Sequence, residues 1–287
     1  MGSDSVMRAT AYVPKGGVSK TTTTAHMAVA AAQDHGLDVL LIDLAGNQND
    51  LATQFGLADD VADPDAPISA VFGEDWSFIR DNIPDVVDRM VYPTGEGPDL
   101  IPADAGLSGA DNNLANVARE KRYTKLEAFV SDDLASRYDL VLLDLPGKED
   151  NITLNGLFAA EDVITPLKPG EFEKQQLENL FVELDELRRD FDGQGDTPDV
   201  NPRIRMILPT TVDRRENYNV AFVTGLEADY PDLTYADIPK SANVGSLQTE
   251  GKTLFAAADD ELYDTGRRAR DAYRAATDEL LSRLEAH

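Results

Sequence analysis

The chain has 287 residues, 42% of them hydrophobic, which is enough to bury a substantial core and too many for a disordered polymer. It carries 53 acidic residues (36 Asp, 17 Glu) against 26 basic ones (17 Arg, 9 Lys), a formal charge of −27; many short carboxylates with few lysines suit a halophilic cytoplasm at molar salt, where screening is nearly complete beyond roughly 3 Å. The absence of cysteine excludes disulfides, thiolate catalysis and iron–sulfur ligation, three histidines (His26, His35, His287) leave little for a histidine metal cluster, and no run approaches a membrane span.

In chain order, the start Met1-Gly2-Ser3-Asp4-Ser5-Val6 lacks the basic and apolar regions of a secretory signal, and Val6 stands where a myristoylation motif needs Ser or Thr. A cytoplasmic, soluble protein is expected. Residues 6–13 read as a strand, followed by a glycine-rich turn and an alanine-rich helix over 21–33. A fully apolar strand at 37–43 ends in Asp43. Residues 58–98, with five prolines and many acids, read as a surface excursion. Further strands are predicted at 99–103, 138–145, 162–167, 204–211 and 233–238. The predicted helices between them cover 108–119, 124–131, 172–191, 217–230 and 259–284. Apolar strands separated by helix-length segments predict an α/β fold, a mainly parallel twisted sheet covered by helices on both faces, as one domain over 1–287. Ligands of such sheets bind beyond the carboxyl ends of the strands.

The stretch Pro14-Lys15-Gly16-Gly17-Val18-Ser19-Lys20-Thr21 lies between the first strand and the first helix. Glycines let backbone N–H groups curl around a phosphate, and the helix N-terminus adds unpaired donors and partial positive charge. In this pattern Lys20 reaches the β- and γ-phosphates and the Thr21 hydroxyl reaches Mg²⁺. Residues 15–22, Lys15 through Thr22, are therefore the candidate nucleotide-binding loop. The usual P-loop glycines are replaced by Pro14 and Ser19, and what matches is the variant K-G-G-x-x-K-[ST]. Asp144 ends a second apolar strand, where a carboxylate can hold Mg²⁺ and its water, and Asp43 ends a neighbouring one. Either aspartate could instead cap a turn.

These residues resemble the ParA/MinD superfamily of deviant-Walker ATPases over nearly the whole chain. Lys15 is similar to the signature lysine that crosses a dimer interface to the partner's nucleotide, residues 40–44 to the second-strand motif, and residues 138–146 to the Walker B strand and switch. Residues 153–166 are similar to the family's next helix and strand, and Ile238-Pro239-Lys240 to the late loop bordering the adenine. The resemblance implies ATP and Mg²⁺ as cofactors, Lys15, Lys20, Asp43 and Asp144 as catalytic residues, Thr21, Asp43 and Asp144 around the metal, and Asp213 and Pro239 near the nucleotide. It also implies an ATP-dependent homodimer that binds nonspecific DNA in plasmid or chromosome partition, released by a ParB-like adaptor and associated with the nucleoid. The metal-cluster carriers and nitrogenase-like reductases of the superfamily need cysteines and are excluded.

One departure bears on rate. The family reads D-x-D-P-Q after the second strand, whereas this chain reads Asp43-Leu44-Ala45-Gly46-Asn47-Gln48. Ala45 cannot hold a water, so either Asn47, Gln48 or Asp144 takes that role or hydrolysis is slow. The Asp144-Leu145-Pro146-Gly147 run also resembles the GTPase switch, but Thr210-Thr211-Val212-Asp213 lacks the lysine of a guanine reader, which favours ATP. The last ten residues have three acids and one Arg, unlike a membrane anchor. Upstream, Arg267, Arg270 and Arg274 share one side of the final helix with Arg268 nearby, either as a candidate DNA contact or as a solvated stripe balanced by Asp264 and Asp271. The alternative function is a slow or non-hydrolysing, MinD-like positioning switch for non-DNA cargo; a kinase or ligase on the same fold would need an acceptor motif, and none is seen.

Overall fold

Two five-residue runs that each end in aspartate, Val39–Asp43 (β2) and Leu140–Asp144 (β5), are buried at every position and lie side by side at the centre of the sheet. The computed structural model describes residues 6–14, 19–45, 50–191 and 200–286, with the backbone alone at 119–120. The other strands are β1 (Met7–Ala11), β3 (Tyr92–Pro93), β4 (Asp99–Ile101), β6 (Asp162–Leu167) and β7 (Arg203–Pro209). Their order is β3-β4-β2-β5-β1-β6-β7, and every neighbouring pair is parallel except β3 with β4. Because the central strands are sandwiched, they read as continuous Leu/Val/Ile runs without polar alternation.

The helices are α1 (Lys20–His35), α2 (Asp50–Gln54), α3 (Trp76–Asn82), α4 (Leu107–Leu114), α5 (Arg119–Arg122), α6 (Lys125–Phe129), α7 (Asn151–Ala160), α8 (Glu171–Phe191), α9 (Asn217–Asp229), α10 (Ala242–Thr249) and α11 (Asp264–Glu285). On one face, α1 and α11 pack side by side on the sheet, and the alanines of α1 let the backbones approach closely; Tyr273, Ala276, Leu280 and Leu284 of α11 point into that core, as their helical spacing predicts. The other face is covered by α4, α6, α7 and α8, with Leu114, Leu126, Leu157 and Leu177 buried beneath them. The predicted α/β sheet with helices on both faces is thus observed.

Segment 233–238, predicted as a strand, is not one. It touches the sheet edge through isolated parallel bridges, Ile207 with Thr234 and Val212 with Pro239. Backbone bonds hold it to that edge at separate points, Ile207 N–H to Leu233, Tyr235 N–H to Ile207 and Ile238 N–H to Pro209, without a continuous ladder. Within 58–98, short 3₁₀ turns at Ile68–Phe72 and Asp88–Met90 flank α3, and Ile68, Val71, Phe72, Trp76 and Met90 are buried in the main core. The excursion therefore carries more of the interior than its prolines and acids suggest, and it ends in the edge strand β3, which the sequence did not signal.

Candidate nucleotide site

Strand β1 delivers the chain to the phosphate loop, and α1 departs from it. Lys15, Gly16, Gly17 and Val18 lie outside the described residues, as do Asn47 and Gln48; the site is built here from what flanks them. Ser19 precedes α1 with φ 67° and ψ 23°. This is the left-handed region, where a side chain costs about 1 kcal/mol and glycine costs nothing. The usual P-loop has glycine at this position, so Ser19 keeps the glycine's backbone shape without its ease.

Beyond Ser19, Lys20 is 9% exposed. Burial lowers its ammonium pKa, and the nearby Asp144 and Asp50 carboxylates oppose that fall. The Thr21 hydroxyl donates to Asp144 Oδ2 at 2.5 Å. This hydroxyl and carboxylate, 123 positions apart in the chain, meet because β5 is hydrogen-bonded to β1 with Asp144 opposite Ala11, so the end of β5 sits beside the loop. Asp144 is 1% exposed, and its other oxygen, Oδ1, is buried without a hydrogen-bond partner among the described residues. An orphaned carboxylate oxygen beside a threonine hydroxyl and a lysine is a poor resting arrangement for a protein interior, but it suits a hard cation with phosphate oxygens completing its shell. Among the described residues no group of three or more His, Asp or Glu converges into a metal cage. Mg²⁺ held with a nucleotide needs only one or two protein oxygens.

Asp43 behaves differently. It is fully buried directly opposite Asp144 in the β2–β5 register. Its two oxygens accept the backbone N–H groups of Ala45 (2.9 Å) and Leu51 (3.3 Å). It therefore shapes the turn leading to α2. Burial raises the carboxyl pKa of both aspartates, and for Asp144 the adjacent Asp43 charge adds to the rise. Two carboxylates this close cannot both ionise cheaply without a cation beside them.

After Asp144, Leu145 is fully buried against Gly156 of α7, where a Cβ would meet Leu145 Cδ2 at 2.3 Å. The helix carries glycine there because the switch segment passes that close. Asp150 caps α7 by accepting Thr153 N–H at 2.8 Å. Asn155, one residue before Gly156, is wholly buried; its Oδ1 accepts Lys125 and Leu126 N–H, and its Nδ2 donates to the Arg122 and Asn151 carbonyls. Sequence reasoning missed Asn155 because a mid-helix asparagine looks neutral until the segment it satisfies is known.

Asp213 and Pro239 line one cleft of about 700 Å³ past the carboxyl end of β7, two strands from β1. Arg214, Arg215, Asp237, Lys240 and Arg268 line it too. The other three predicted arginines are elsewhere. Arg270 is 8% exposed and bonds the Ala257 carbonyl and Asp259; Arg267 pairs with Asp264, and Arg274 pairs with Asp34 and Asp271 while lying over the Phe255 ring. These three brace the start of α11, so the stripe is largely neutralised within the chain. The clue to the cluster that does form was the Arg214-Arg215 pair directly after Asp213, with Lys240 on the late loop.

Comparison with known proteins agrees with this geometry. An AAA-domain family model (AAA_31) matches residues 9–194. The chromosome partitioning protein ParA of Caulobacter vibrioides is 30% identical over 279 residues, covering 94% of this chain and 91% of its own. The chain belongs to the ParA/Soj family of partition ATPases. The chromosome-partitioning ATPase Soj of Thermus thermophilus is also 30% identical, covering 94% of each chain. Among solved structures, cobyrinic acid a,c-diamide synthase of Mycobacterium smegmatis with bound ADP and magnesium superposes with a TM-score of 0.72 at 26% identity, covering 98% of this chain and 96% of its own. In this ParA-family chain no helix among the described residues is long and apolar enough to cross a membrane.

Proposed function

We propose that this P-loop ATPase is a nucleotide-driven switch in plasmid or chromosome partition. ATP pairs two copies of the chain, the dimer holds nonspecific DNA, and a ParB-like adaptor releases it. The observation that carries the nucleotide site is the Thr21–Asp144 contact beside buried Lys20, with Asp144 Oδ1 lacking a partner among the described residues. The wider reading also rests on similarity to ParA and Soj along nearly the whole chain.

In this reading the N–H groups of residues 16–22 and Lys20 cradle the phosphates, and Thr21 and Asp144 hold Mg²⁺, which would neutralise charge on the transferred phosphoryl group. Lys15 reaches the partner's nucleotide and acts there as an arginine finger does. Asp43 is a positioning residue that fixes the turn after β2, and Asp213 and Pro239 border the base. DNA contact falls on the cleft that gathers Arg214, Arg215, Lys240 and Arg268 rather than on Arg267, Arg270 and Arg274, which lie outside it. The site thus works in a nucleoid-associated protein of a high-salt cytoplasm.

Turnover is slow, because Ala45 offers no group to orient the attacking water. Measured ATP hydrolysis of Ala45→Asp is expected to rise on the order of tenfold or more, since a positioned carboxylate commonly contributes at least that much. Lys20→Ala should abolish both hydrolysis and ATP-induced dimerisation in light scattering. An unchanged rate in Ala45→Asp would defeat the slow-switch reading, and dimerisation that ignores ATP would defeat the switch itself.

A further inference from the structure

The cationic cleft is not presented at full charge. Arg215 is the most exposed of its arginines, with 89% of its side chain accessible, yet it forks onto Asp213: Nε donates to Oδ1 at 2.9 Å and Nη2 to Oδ2 at 2.6 Å. Arg214, 66% accessible, does the same with Asp237, a carboxylate only 4% accessible, with Nε at 3.3 Å from Oδ2 and Nη2 bonded to Oδ1. The exposed cations face outward while their acidic partners are set into the wall beneath them. Two of the four positive charges are thereby cancelled by carboxylates belonging to the cleft.

We infer that Asp213 and Asp237 are a built-in restraint on DNA binding, holding Arg215 and Arg214 so that duplex DNA must compete with each carboxylate for its guanidinium. This rests on the partition reading above and adds its regulation. The chemistry is direct exchange: an arginine fork fits a carboxylate and a phosphate equally well, so a backbone phosphate can replace the aspartate without moving the chain. Duplex DNA is the partner because the cleft gathers four cations on a chain of net charge −27, its two forked arginines face solvent, and DNA presents a continuous row of backbone phosphates. Exposed ion pairs are individually weak, at most about 1 kcal/mol, so the restraint adjusts affinity and does not forbid binding.

The test is fluorescence anisotropy of the full chain with ATP and Mg²⁺ on a random-sequence duplex across a KCl series, for wild type, Asp237→Asn, Arg214→Ala and the double variant. Asp237 belongs to neither the phosphate nor the metal site, and asparagine preserves its shape. One additional phosphate contact adds about 0.9 to the slope of log affinity against log salt, so Asp237→Asn should gain about eightfold over wild type for each tenfold drop in KCl. Arg214→Ala alone should weaken binding by less than Asp237→Asn strengthens it, and it should erase the gain in the double variant. Wild type and Asp237→Asn binding with equal affinity and slope would overturn the restraint while leaving the partition reading intact. Arg214→Ala weakening wild type as strongly as Asp237→Asn strengthens it would also overturn the restraint. No ATP-dependent DNA binding by any variant, or a gain seen on anionic vesicles and not on DNA, would overturn both.

Discussion

His26 shows how one buried side chain records its tautomer. It lies in α1, 1% exposed and stacked on Tyr273, with Nδ1 2.8 Å from the Thr22 carbonyl and Nε2 3.2 Å from the Leu254 N–H. A carbonyl partner requires the proton on Nδ1, and a donor partner requires Nε2 bare, so the neutral ring fits both neighbours, whereas the imidazolium keeps the Thr22 bond and loses the acceptor that Leu254 N–H needs. Burial pulls the pKa from 6.5 down to about 4. Between these values the unfolded chain binds the proton and the folded chain does not, so this residue's contribution to stability is lost as pH falls from 6.5 toward 4. A shift of that size corresponds to about 3 kcal/mol. Burial raises the carboxyl pKa of Asp43, Asp144 and Glu183, so these groups act in the opposite direction over the same range. The informative quantity is therefore the difference between wild type and His26→Gln in urea unfolding at fixed high salt: it should shrink by about 3 kcal/mol from pH 7 to pH 4, and a constant difference would remove the histidine from the account.

At the scale of elements, the switch after β5 is tied to the α4–α6 segment by asparagines. Asp111 of α4 accepts both the backbone N–H and the side-chain amide of Asn151, and Asn155 satisfies Lys125 and Leu126 at the start of α6. Leu145, packed against Gly156 of α7, connects this network to the segment that follows β5. Asn155→Ala leaves buried backbone donors without a partner and should cost about 3 kcal/mol, read by urea unfolding. Hydrogen exchange should show residues 122–129 losing protection more than β6, and equal loss in both would mean a general softening. Little of this coupling was legible in the sequence. Strands β2, β5 and β6 were readable because buried parallel strands are unbroken apolar runs, and Thr21 and Asp144 because a phosphate loop constrains residue types strictly. Asn155 and the Asp237–Arg214 pair were not, since polar contacts between distant segments leave no local period. The strand expected at 233–238 failed for the converse reason: Leu233, Tyr235 and Ile238 are apolar because they pack on the core, while the backbone meets β7 only at isolated bridges.

Over the whole molecule, even if every one of the 26 basic residues found an acidic partner, 53 − 26 = 27 carboxylates would still have none. Among the described residues the buried carboxylates are Asp43, Asp104, Asp144, Asp162 and Asp237, with no glutamate, so the excess sits on the solvated surface, where its mutual repulsion is open to screening. The Debye length falls from about 10 Å at 0.1 M salt to about 3 Å at 1 M, so most of the relief arrives before molar salt. The melting temperature should therefore climb steeply between 0.1 and 1 M KCl and flatten above it, with NaCl giving the same curve. A stabilisation that keeps rising linearly past 2 M, or that appears with sulfate and not with chloride, would point to solute exclusion from the surface instead. The same screening weakens DNA contact, which loses about 0.9 log units per phosphate for each tenfold rise in salt. Under the proposed partition function, stability and DNA affinity respond to salt in opposite directions: a DNA-binding dimer would need a salt level high enough to screen its own charge and low enough for the Arg214–Arg268 cleft to hold phosphate. Measured on one sample series, a DNA affinity that stays flat while the melting temperature rises would separate the two effects and remove the cleft cations from the interface.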